Sequence, residues 1–166
     1  MNSAGEIFNV GVHGFKGKNM KARLLIVDDE EQFVEALSER LSMRDYDVTT
    51  SLTGEDAIEK IKNYNFDVVI LDVRLPGIEG TAVLREIKNV KPLTEVIMLT
   101  GHGTVEMAIE GMKLGAFDIL MKPCETEDLT LKIDKANDRK AEQEDRIRAA
   151  KLSGFTSSPR SVLNDV

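Results

Sequence analysis

Cysteine, histidine and tryptophan are scarce in this chain of 166 residues, which has one cysteine, two histidines and no tryptophan. A single cysteine, Cys124, excludes an internal disulfide, so a reducing cytoplasm is the expected location. Because one cysteine and two histidines cannot supply the four ligands of a zinc site, any bound metal has to be held by oxygen atoms.

Long apolar runs and basic stripes are also missing. The longest strand-like block, Val68–Leu71, is far shorter than the roughly 20 residues that cross a bilayer, and the first 20 residues lack the apolar stretch of a secretory signal. No membrane association is therefore expected. The net charge of −7, without a stripe of Lys and Arg interleaved with aromatic residues, argues against direct binding of nucleic acid.

What the sequence does contain is a strict alternation of two patterns. Short β-branched segments predict strands at 23–27, 46–50, 67–71, 94–99 and 117–121. Amphipathic stretches predict helices at 31–43, 54–63, 81–90, 104–114 and from about 125 onward. Five βα units with apolar strands are typical of a doubly wound α/β fold, in which helices cover both faces of a five-stranded parallel sheet.

Periodicity within the helical segments predicts which residues form the core. In the first helix Phe33, Ala36, Leu37 and Leu41 share one face. In the last helix the apolar positions Leu129, Ile133 and Ala136 predict contact with the sheet. Beyond Ala136 the apolar stripe thins, so the last helix is expected to stop contacting the sheet there.

The expected organisation is one compact domain at 21–140 between two extensions. Residues 1–20 contain four glycines and little periodicity, which indicates a flexible tail or a remnant of cloning. Residues 141–166 begin as a highly charged helical extension and end in a flexible tail rich in Gly, Ser and Pro. The extension is expected to be solvated, with a dimer contact as the alternative.

Polar residues follow four of the predicted strands at their carboxyl ends. Asp28 and Asp29 follow the first strand, Asp72 the third, Thr100 the fourth and Lys122 the fifth. The carboxyl ends of parallel strands share one edge of the sheet, where open α/β folds bind ligands. These residues are therefore expected to converge, although they are far apart along the chain.

Three carboxylates at one place repel each other, and a single lysine offsets only part of that repulsion. A divalent cation would relieve it, and ligand sets made only of oxygen favour Mg²⁺, Mn²⁺ or Ca²⁺. A carboxylate beside such a cation and a lysine can attack phosphorus and form an aspartyl phosphate. The cluster thus predicts phosphoryl chemistry.

The motifs resemble those of bacterial response-regulator receiver domains. The resemblance is carried by LLIVDDE at 24–30, DVVILDVRLPGIEG at 67–80, Thr100-Gly101 and Lys122-Pro123, and it extends from about 21 to 140. The segments 100–103 and 115–118 are similar to receivers of NtrC-type regulators. This resemblance implies a CheY-like sheet with the strand order 2-1-3-4-5, which periodicity alone does not give.

The resemblance assigns the phosphoryl acceptor and the metal ligands. Asp72 would be the acceptor, and Asp29 and Asp72 would bind Mg²⁺ directly. Asp28 would assist through a water molecule, and the backbone carbonyl of Arg74 would be a further ligand.

The resemblance also assigns residues around the phosphoryl group. Lys122 and Thr100 would contact its oxygens, and Gly101 would leave room for the phosphodonor. Thr100 and Phe117 would form the switch pair, in which the hydroxyl moves toward the phosphoryl group and the ring turns inward. The bond from Lys122 to Pro123 would be cis.

The implied function is that of a signalling domain that assists only its own phosphorylation and dephosphorylation. A histidine kinase or phosphotransfer protein would phosphorylate it, and the fourth helix, fifth strand and fifth helix would change conformation. Output would pass to a protein target, to an output domain of a longer chain or through a phosphorylation-dependent homodimer.

Two other functions compete with this interpretation. A Mg²⁺-dependent phosphohydrolase with an Asp nucleophile, of the haloacid-dehalogenase type, needs a general acid two residues after the nucleophile, where this chain has Arg74. A receiver-shaped scaffold that signals without phosphate would not need Asp72, Thr100 and Lys122 together.

Overall fold

The computed structural model describes residues 20–157, and within them five parallel strands alternate with five helices. The strands are β1 (Arg23–Val27), β2 (Asp47–Ser51), β3 (Val68–Leu71), β4 (Glu95–Thr100) and β5 (Asp118–Met121). The helices are α1 (Glu31–Ser42), α2 (Gly54–Asn63), α3 (Gly80–Val90), α4 (Val105–Lys113) and α5 (Thr126–Ser157). The strand order is β2-β1-β3-β4-β5, which confirms the predicted doubly wound sheet. Residues 1–19 and 158–166, where the flexible tails are predicted, lie outside the described part.

The register of the sheet sets where the loops at its carboxyl edge begin. Val27 of β1 is paired with Ser51 on one side and with Leu71 on the other, so β1, β2 and β3 end at the same level. Thr100 of β4 is paired with Met121 of β5, so these two strands also end together. The residues that follow all five strands therefore meet along one edge.

Helices cover the sheet on both faces and enclose two apolar clusters. The α2–α4 face is covered by α2, α3 and α4, and its cluster includes Ala57, Val69, Leu71, Leu84, Val96 and Met98. The α1–α5 face is covered by α1 and α5, and its cluster includes Leu37, Ile70, Ile97, Leu99, Leu129 and Ile133. All four residues of β3 are buried, as expected for a central strand with helices on both sides.

Helix α1 differs from the predicted pattern at one position. Leu37 and Leu41 are buried as expected, but the third buried residue is Val34, and Ala36 is exposed. The buried stripe thus follows positions 34, 37 and 41, which lie along one face of a helix. Phe33 is half-buried at the edge of this stripe, next to the carboxyl edge of the sheet.

Helix α5 docks on the sheet as predicted and remains attached for one turn more. Leu129, Ile133 and Ala136 are buried, which confirms the stripe read from the sequence. Lys140 is also buried, and its Nζ lies 3.1 Å from Oδ1 of Asp67. From residue 145 onward the described part of α5 is exposed. None of the helices in residues 20–157 combines the length and the apolar character that crossing a bilayer requires.

Candidate functional site

Three carboxylates form a cluster at the carboxyl edge of the sheet. Asp28 and Asp29 follow β1 directly, Asp72 follows the neighbouring strand β3, and one oxygen from each lies within 4.8 Å of the others. Asp28 is 2% exposed and Asp72 is 7% exposed, whereas Asp29 faces solvent. The predicted convergence of these residues is confirmed.

Backbone contacts fix the two buried carboxylates. Oδ1 of Asp28 accepts a hydrogen bond of 2.9 Å from the backbone N–H of Glu30, just before α1 begins. Oδ1 of Asp72 accepts one of 3.3 Å from the N–H of Arg74. The loop then folds back so tightly that a Cβ at Gly80 would lie 2.3 Å from the backbone oxygen of Asp72, so only glycine fits there. Both carboxylates are thus held by the loops that carry them.

Lys122 brings the positive charge into this cluster from the end of β5. Its Nζ donates a hydrogen bond of 2.5 Å to Oδ2 of Asp28 and lies 3.7 Å from Oδ2 of Asp72 and 3.4 Å from Oε1 of Glu30. The same ammonium lies over the ring of Phe33. Burial alone would lower the pKa of Lys122, but the hydrogen bond and the charge of Asp28 raise it above its ordinary value. Lys122 is therefore charged at neutral pH.

For the carboxyl group of Asp72, burial and repulsion outweigh the favourable contacts, so its charged form is disfavoured. Burial, followed by the charge of Asp28, raises its pKa above the ordinary value, and Lys122 and the N–H of Arg74 only partly oppose this. The negative charge on Asp72 is thus incompletely compensated by the chain itself.

Thr100, Gly101 and Pro123 lie on the same edge. The backbone N–H of Lys122 donates to the carbonyl of Thr100 at 2.8 Å, which joins the ends of β4 and β5. The Thr100 hydroxyl accepts a hydrogen bond of 3.2 Å from the N–H of His102. A Cβ at Gly101 would point toward Cβ of Lys122, 4.0 Å away. The bond between Lys122 and Pro123 is cis, as expected.

The structure does not bring Phe117 to Thr100. Side chains alternate along β4, so Thr100 shares the α2–α4 face with Met98, whereas Phe117 packs against the cluster on the α1–α5 face. The ring of Phe117 lies instead next to the guanidinium of Arg139, 5.7 Å from its carbon. Thr100 and Phe117 thus lie on opposite faces of the sheet, and this structure does not show the switch pair that the resemblance implies. The physical reason is that β5 begins at Asp118, so Phe117 precedes the regular alternation of the strand.

The β5 residue on the α2–α4 face is Ile119, which is paired with Met98 and packs against the cluster there. The sequence did not single out Ile119 as the β5 residue on the face of Thr100, because it looks like an ordinary core residue of a strand. Its position two residues before the end of β5 was the available signal that it lies near the carboxyl edge.

Phe33 and Glu30 are further neighbours of Lys122 that the sequence did not single out. Phe33 was assigned to the core because it fits the apolar period of α1. Its place in the first turn of the helix that follows Asp28 and Asp29 was the signal for a position near the site.

The donor set suits a hard cation. The three clustered side chains offer only oxygen, and two of them are buried next to each other with one lysine as partner. Oxygen ligands of this kind are preferred by Mg²⁺ and Ca²⁺. The uncompensated charge on Asp72 fits a site that gains a positive partner.

A doubly wound sheet of this order, with an acidic pocket and a lysine at its carboxyl edge, defines a CheY-like domain. The sequence pattern of the response regulator receiver domain matches residues 24–134, and the chain belongs to this family. It is a receiver domain of two-component response regulators, which are phosphorylated on an aspartate. This membership favours the receiver interpretation over the phosphohydrolase alternative.

Known relatives agree with this assignment. The chain is 35% identical over 113 residues to the transcriptional regulatory protein ZraR of Escherichia coli, a match that covers 68% of this chain and 26% of ZraR. It is 30% identical to the regulator FixJ of Bradyrhizobium diazoefficiens, covering 86% of this chain and 72% of FixJ. Among solved structures, a receiver domain protein from Clostridium thermocellum is 36% identical with a TM-score of 0.70, covering 73% of this chain and 98% of that one.

Proposed function

We propose that Asp72 is the phosphoryl acceptor of this receiver domain. The observation that carries the proposal is the position of Lys122, whose ammonium lies between the carboxylates of Asp28 and Asp72 at the carboxyl edge of the sheet. Asp28 accepts hydrogen bonds from Lys122 and from the N–H of Glu30, whereas Asp72 accepts only the longer one from the N–H of Arg74, and its Oδ2 lies 3.7 Å from the ammonium. Asp72 is thus the buried carboxylate that is less committed to existing bonds.

We propose Mg²⁺ as the metal of this site. Asp29 and Asp72 would hold it directly, with Asp28 through a water molecule and the backbone carbonyl of Arg74 as a further ligand. When bound, Mg²⁺ supplies positive charge that balances the carboxylates and the phosphoryl oxygens. The oxygen-only cluster within 4.8 Å supports this proposal.

The residues of the chain have separate roles in the transfer. A carboxylate oxygen of Asp72 forms a bond to phosphorus while the bond from phosphorus to the donor's leaving group breaks. The Lys122 ammonium and the Thr100 hydroxyl contact the transferred oxygens, whose charge they offset. Gly101 presents no side chain beside Lys122, which leaves space for the donor.

The physiological donor is proposed to be a phosphohistidine of a sensor kinase or of a phosphotransfer protein in the cytoplasm. The chain spans 26% of the length of the transcriptional regulatory protein ZraR. We propose that phosphorylation changes the surface formed by α4, β5 and α5, and that this surface contacts a downstream protein, an output domain or a second phosphorylated copy.

Phosphorylation by a small donor tests the acceptor directly. Incubation with phosphoramidate and Mg²⁺ should add the mass of one phosphoryl group to the wild-type protein and none to Asp72→Asn. The exposed Asp138, on α5, gives a matched control, and Asp138→Asn should be phosphorylated like the wild type. An unchanged mass gain in Asp72→Asn would remove Asp72 from the acceptor role. No gain in the wild type would favour the scaffold alternative.

A further inference from the structure

The ammonium group of Lys122 has a neutral partner in addition to its carboxylates. Its Nζ lies 4.1 Å from the centroid of the Phe33 ring, well inside the distance at which a cation interacts with the face of an aromatic ring. The side chain of Lys122 is 14% exposed. A lysine so little exposed is shielded from water, and such shielding strengthens a cation–π contact.

Phe33 is held in this position by the helix that carries it. It is the third residue of α1, the helix that begins two residues after Asp29, and its ring packs against the apolar cluster of the α1–α5 face. Val34 and Leu37 of the same helix are buried against the sheet, and they fix the rotation of α1 relative to it. Packing of the helix therefore holds the ring of Phe33 next to the ammonium of Lys122.

Binding of a cation and a phosphoryl group would change the charge around the carboxylate partners of Lys122, but it would leave the ring of Phe33 neutral. A cation and an incoming phosphoryl group alter the charge felt by Asp28 and Asp72, and Lys122 has to exchange its hydrogen bond with Asp28 for contacts with phosphoryl oxygens. A flexible lysine has many rotamers, and fixing it at the moment of transfer costs entropy. A neutral aromatic face attracts the ammonium in every charge state of the site.

We propose that Phe33 is a positioning residue that holds the ammonium of Lys122 next to the acceptor before and during phosphoryl transfer. This inference rests on the proposed function, because it assigns Phe33 a role in the reaction at Asp72. The role is electrostatic as well as steric, since it depends on the electron-rich face of the ring. The contact that the structure shows for the ring is with the ammonium of Lys122, so Phe33 acts through Lys122.

The test compares rates of phosphorylation by phosphoramidate with Mg²⁺ in variants of the full chain. Phe33→Leu should slow the reaction about three- to tenfold, the range that a contact of this kind supports. Phe33→Tyr, which keeps the aromatic face, should remain within about twofold of the wild type. Phe117→Leu is the matched control and should react at the wild-type rate, because it removes a half-buried ring from the same α1–α5 face, but one that lies next to Arg139 and not Lys122.

A second variant separates electrostatics from packing. Site-specific replacement of Phe33 by pentafluorophenylalanine keeps the shape of the ring but reverses the charge of its face. We expect this protein to be as slow as Phe33→Leu. A rate equal to the wild type in the fluorinated protein, or in all variants at position 33, would overturn the proposal.

A measurement that needs no phosphorylation checks the geometry. In metal-free protein, the ε-methylene protons of Lys122 should resonate upfield, because they are bonded next to the Nζ that lies over the ring of Phe33, and should return to ordinary shifts in Phe33→Leu. Absence of the upfield shift refutes the contact itself. If the shift is present but neither the wild type nor Asp72→Asn is phosphorylated, the proposed function fails and the role of Phe33 in transfer falls with it, while the contact stands.

Discussion

Asp72 is the residue whose environment most directly couples the site to the stability of the domain. Its folded-state pKa is raised by burial and by Asp28, so the folded protein binds a proton there more tightly than the unfolded chain does. The contribution of this group is fully favourable below the ordinary carboxyl pKa and is lost as the pH rises through the raised value. Ionised Asp72 therefore destabilises the metal-free domain at neutral pH.

Replacing Asp72 by Asn should remove this destabilising charge. Without metal at pH 7 the variant should unfold at a higher temperature than the wild type, because the repulsion from Asp28 is removed, and the difference should shrink as the pH approaches the ordinary carboxyl pKa. Thermal melts in EDTA between pH 4 and 8 measure this. Millimolar Mg²⁺ should stabilise the wild type more than the variant.

Asp138→Asn, at an exposed position, should behave like the wild type in these melts. A midpoint for Asp72→Asn equal to or below that of the wild type at pH 7 would contradict the electrostatic account.

For single residues, the sequence predicted the charged side chains of the site but not the apolar side chains around them. Asp28, Asp29 and Asp72 could be placed together because strand ends determine the edge on which they lie. Phe117 and Phe33 could not be placed, since a single apolar residue gives no information about which face of the sheet it covers until the strand start and helix rotation are known.

Among the elements, α5 has an attachment that its sequence pattern did not predict. Nζ of Lys140 lies 3.1 Å from Oδ1 of Asp67 and 2.5 Å from Oε1 of Glu144. The two carboxylate oxygens of Asp67 also accept hydrogen bonds from Arg23. Although burial opposes it, the bonds from Arg23 and Lys140 hold the pKa of Asp67 below its ordinary value. The stabilisation from Asp67 is thus present above the ordinary carboxyl pKa and is lost as the pH falls through the lowered value.

Two truncations test where α5 stops contributing to the domain. A chain ending after Arg146 keeps Lys140 and Glu144 and should retain the unfolding free energy of the full chain. A chain ending after Arg139 loses the buried lysine and should be less stable by about 1–3 kcal/mol in urea denaturation, because Asp67 loses one of its charged partners.

Both truncated proteins should still be phosphorylated, since the site lies at the opposite edge of the sheet. Equal stability of the two truncations would place the end of the domain before Lys140. Unfolding of the chain that ends after Arg146 would make the exposed part of α5 a necessary element.

The bounds of most elements lie within one residue of their predicted positions, and α2 matches at both ends. Thr53 explains this accuracy, because its side chain accepts a hydrogen bond from the N–H of Asp56 and fixes the start of the helix. The burial of Lys140 could not be predicted, since a charged residue in a charged segment reads as exposed unless its partner, 73 residues away, is known.

On the scale of the whole molecule, an exposed apolar stripe lies on α4 and β5. Val105, Ile109 and Met112 recur along one side of α4 and are 71%, 50% and 50% exposed, and Met121 at the end of β5 is 49% exposed. Gly103 connects this surface to the site, because a Cβ there would lie within 3.1 Å of both Met121 and Thr100. The stripe is thus a natural contact surface for the proposed output.

A charge placed in the stripe tests this output. With beryllofluoride and Mg²⁺ as a phosphoryl mimic, we expect the wild-type protein to dimerise, and Ile109→Glu to weaken the dimer by about tenfold or more because a buried charge lacks a partner. Light scattering after size-exclusion chromatography measures the assembly. Phosphorylation rates should remain unchanged in this variant.

Met43, 77% exposed on the other side of the sheet at the end of α1, gives the control, and Met43→Glu should dimerise normally. Equal dimerisation of both variants would show that another surface forms the contact. A wild-type protein that stays monomeric with the mimic would exclude the homodimer as its output.

The class of fold followed from alternation of strands and helices, but the strand order did not. Periodicity shows that Ile26, Ile70 and Ile97 belong to buried strands, yet it does not show that β1 lies between β2 and β3. The order came from the resemblance of the motifs, because pairing between strands depends on contacts across long stretches of chain.

The way α5 covers the sheet has a consequence for synthesis on the ribosome. Leu129, Ile133 and Ala136 cover the same face as α1, yet they follow all five strands along the chain. Between the end of β5 and Ala136, part of an apolar face stays open to solvent for about one to three seconds, at about 5–20 residues per second. A nascent chain at this stage is expected to be a substrate for chaperones that bind apolar surfaces, and codon choice after position 121 should influence its yield.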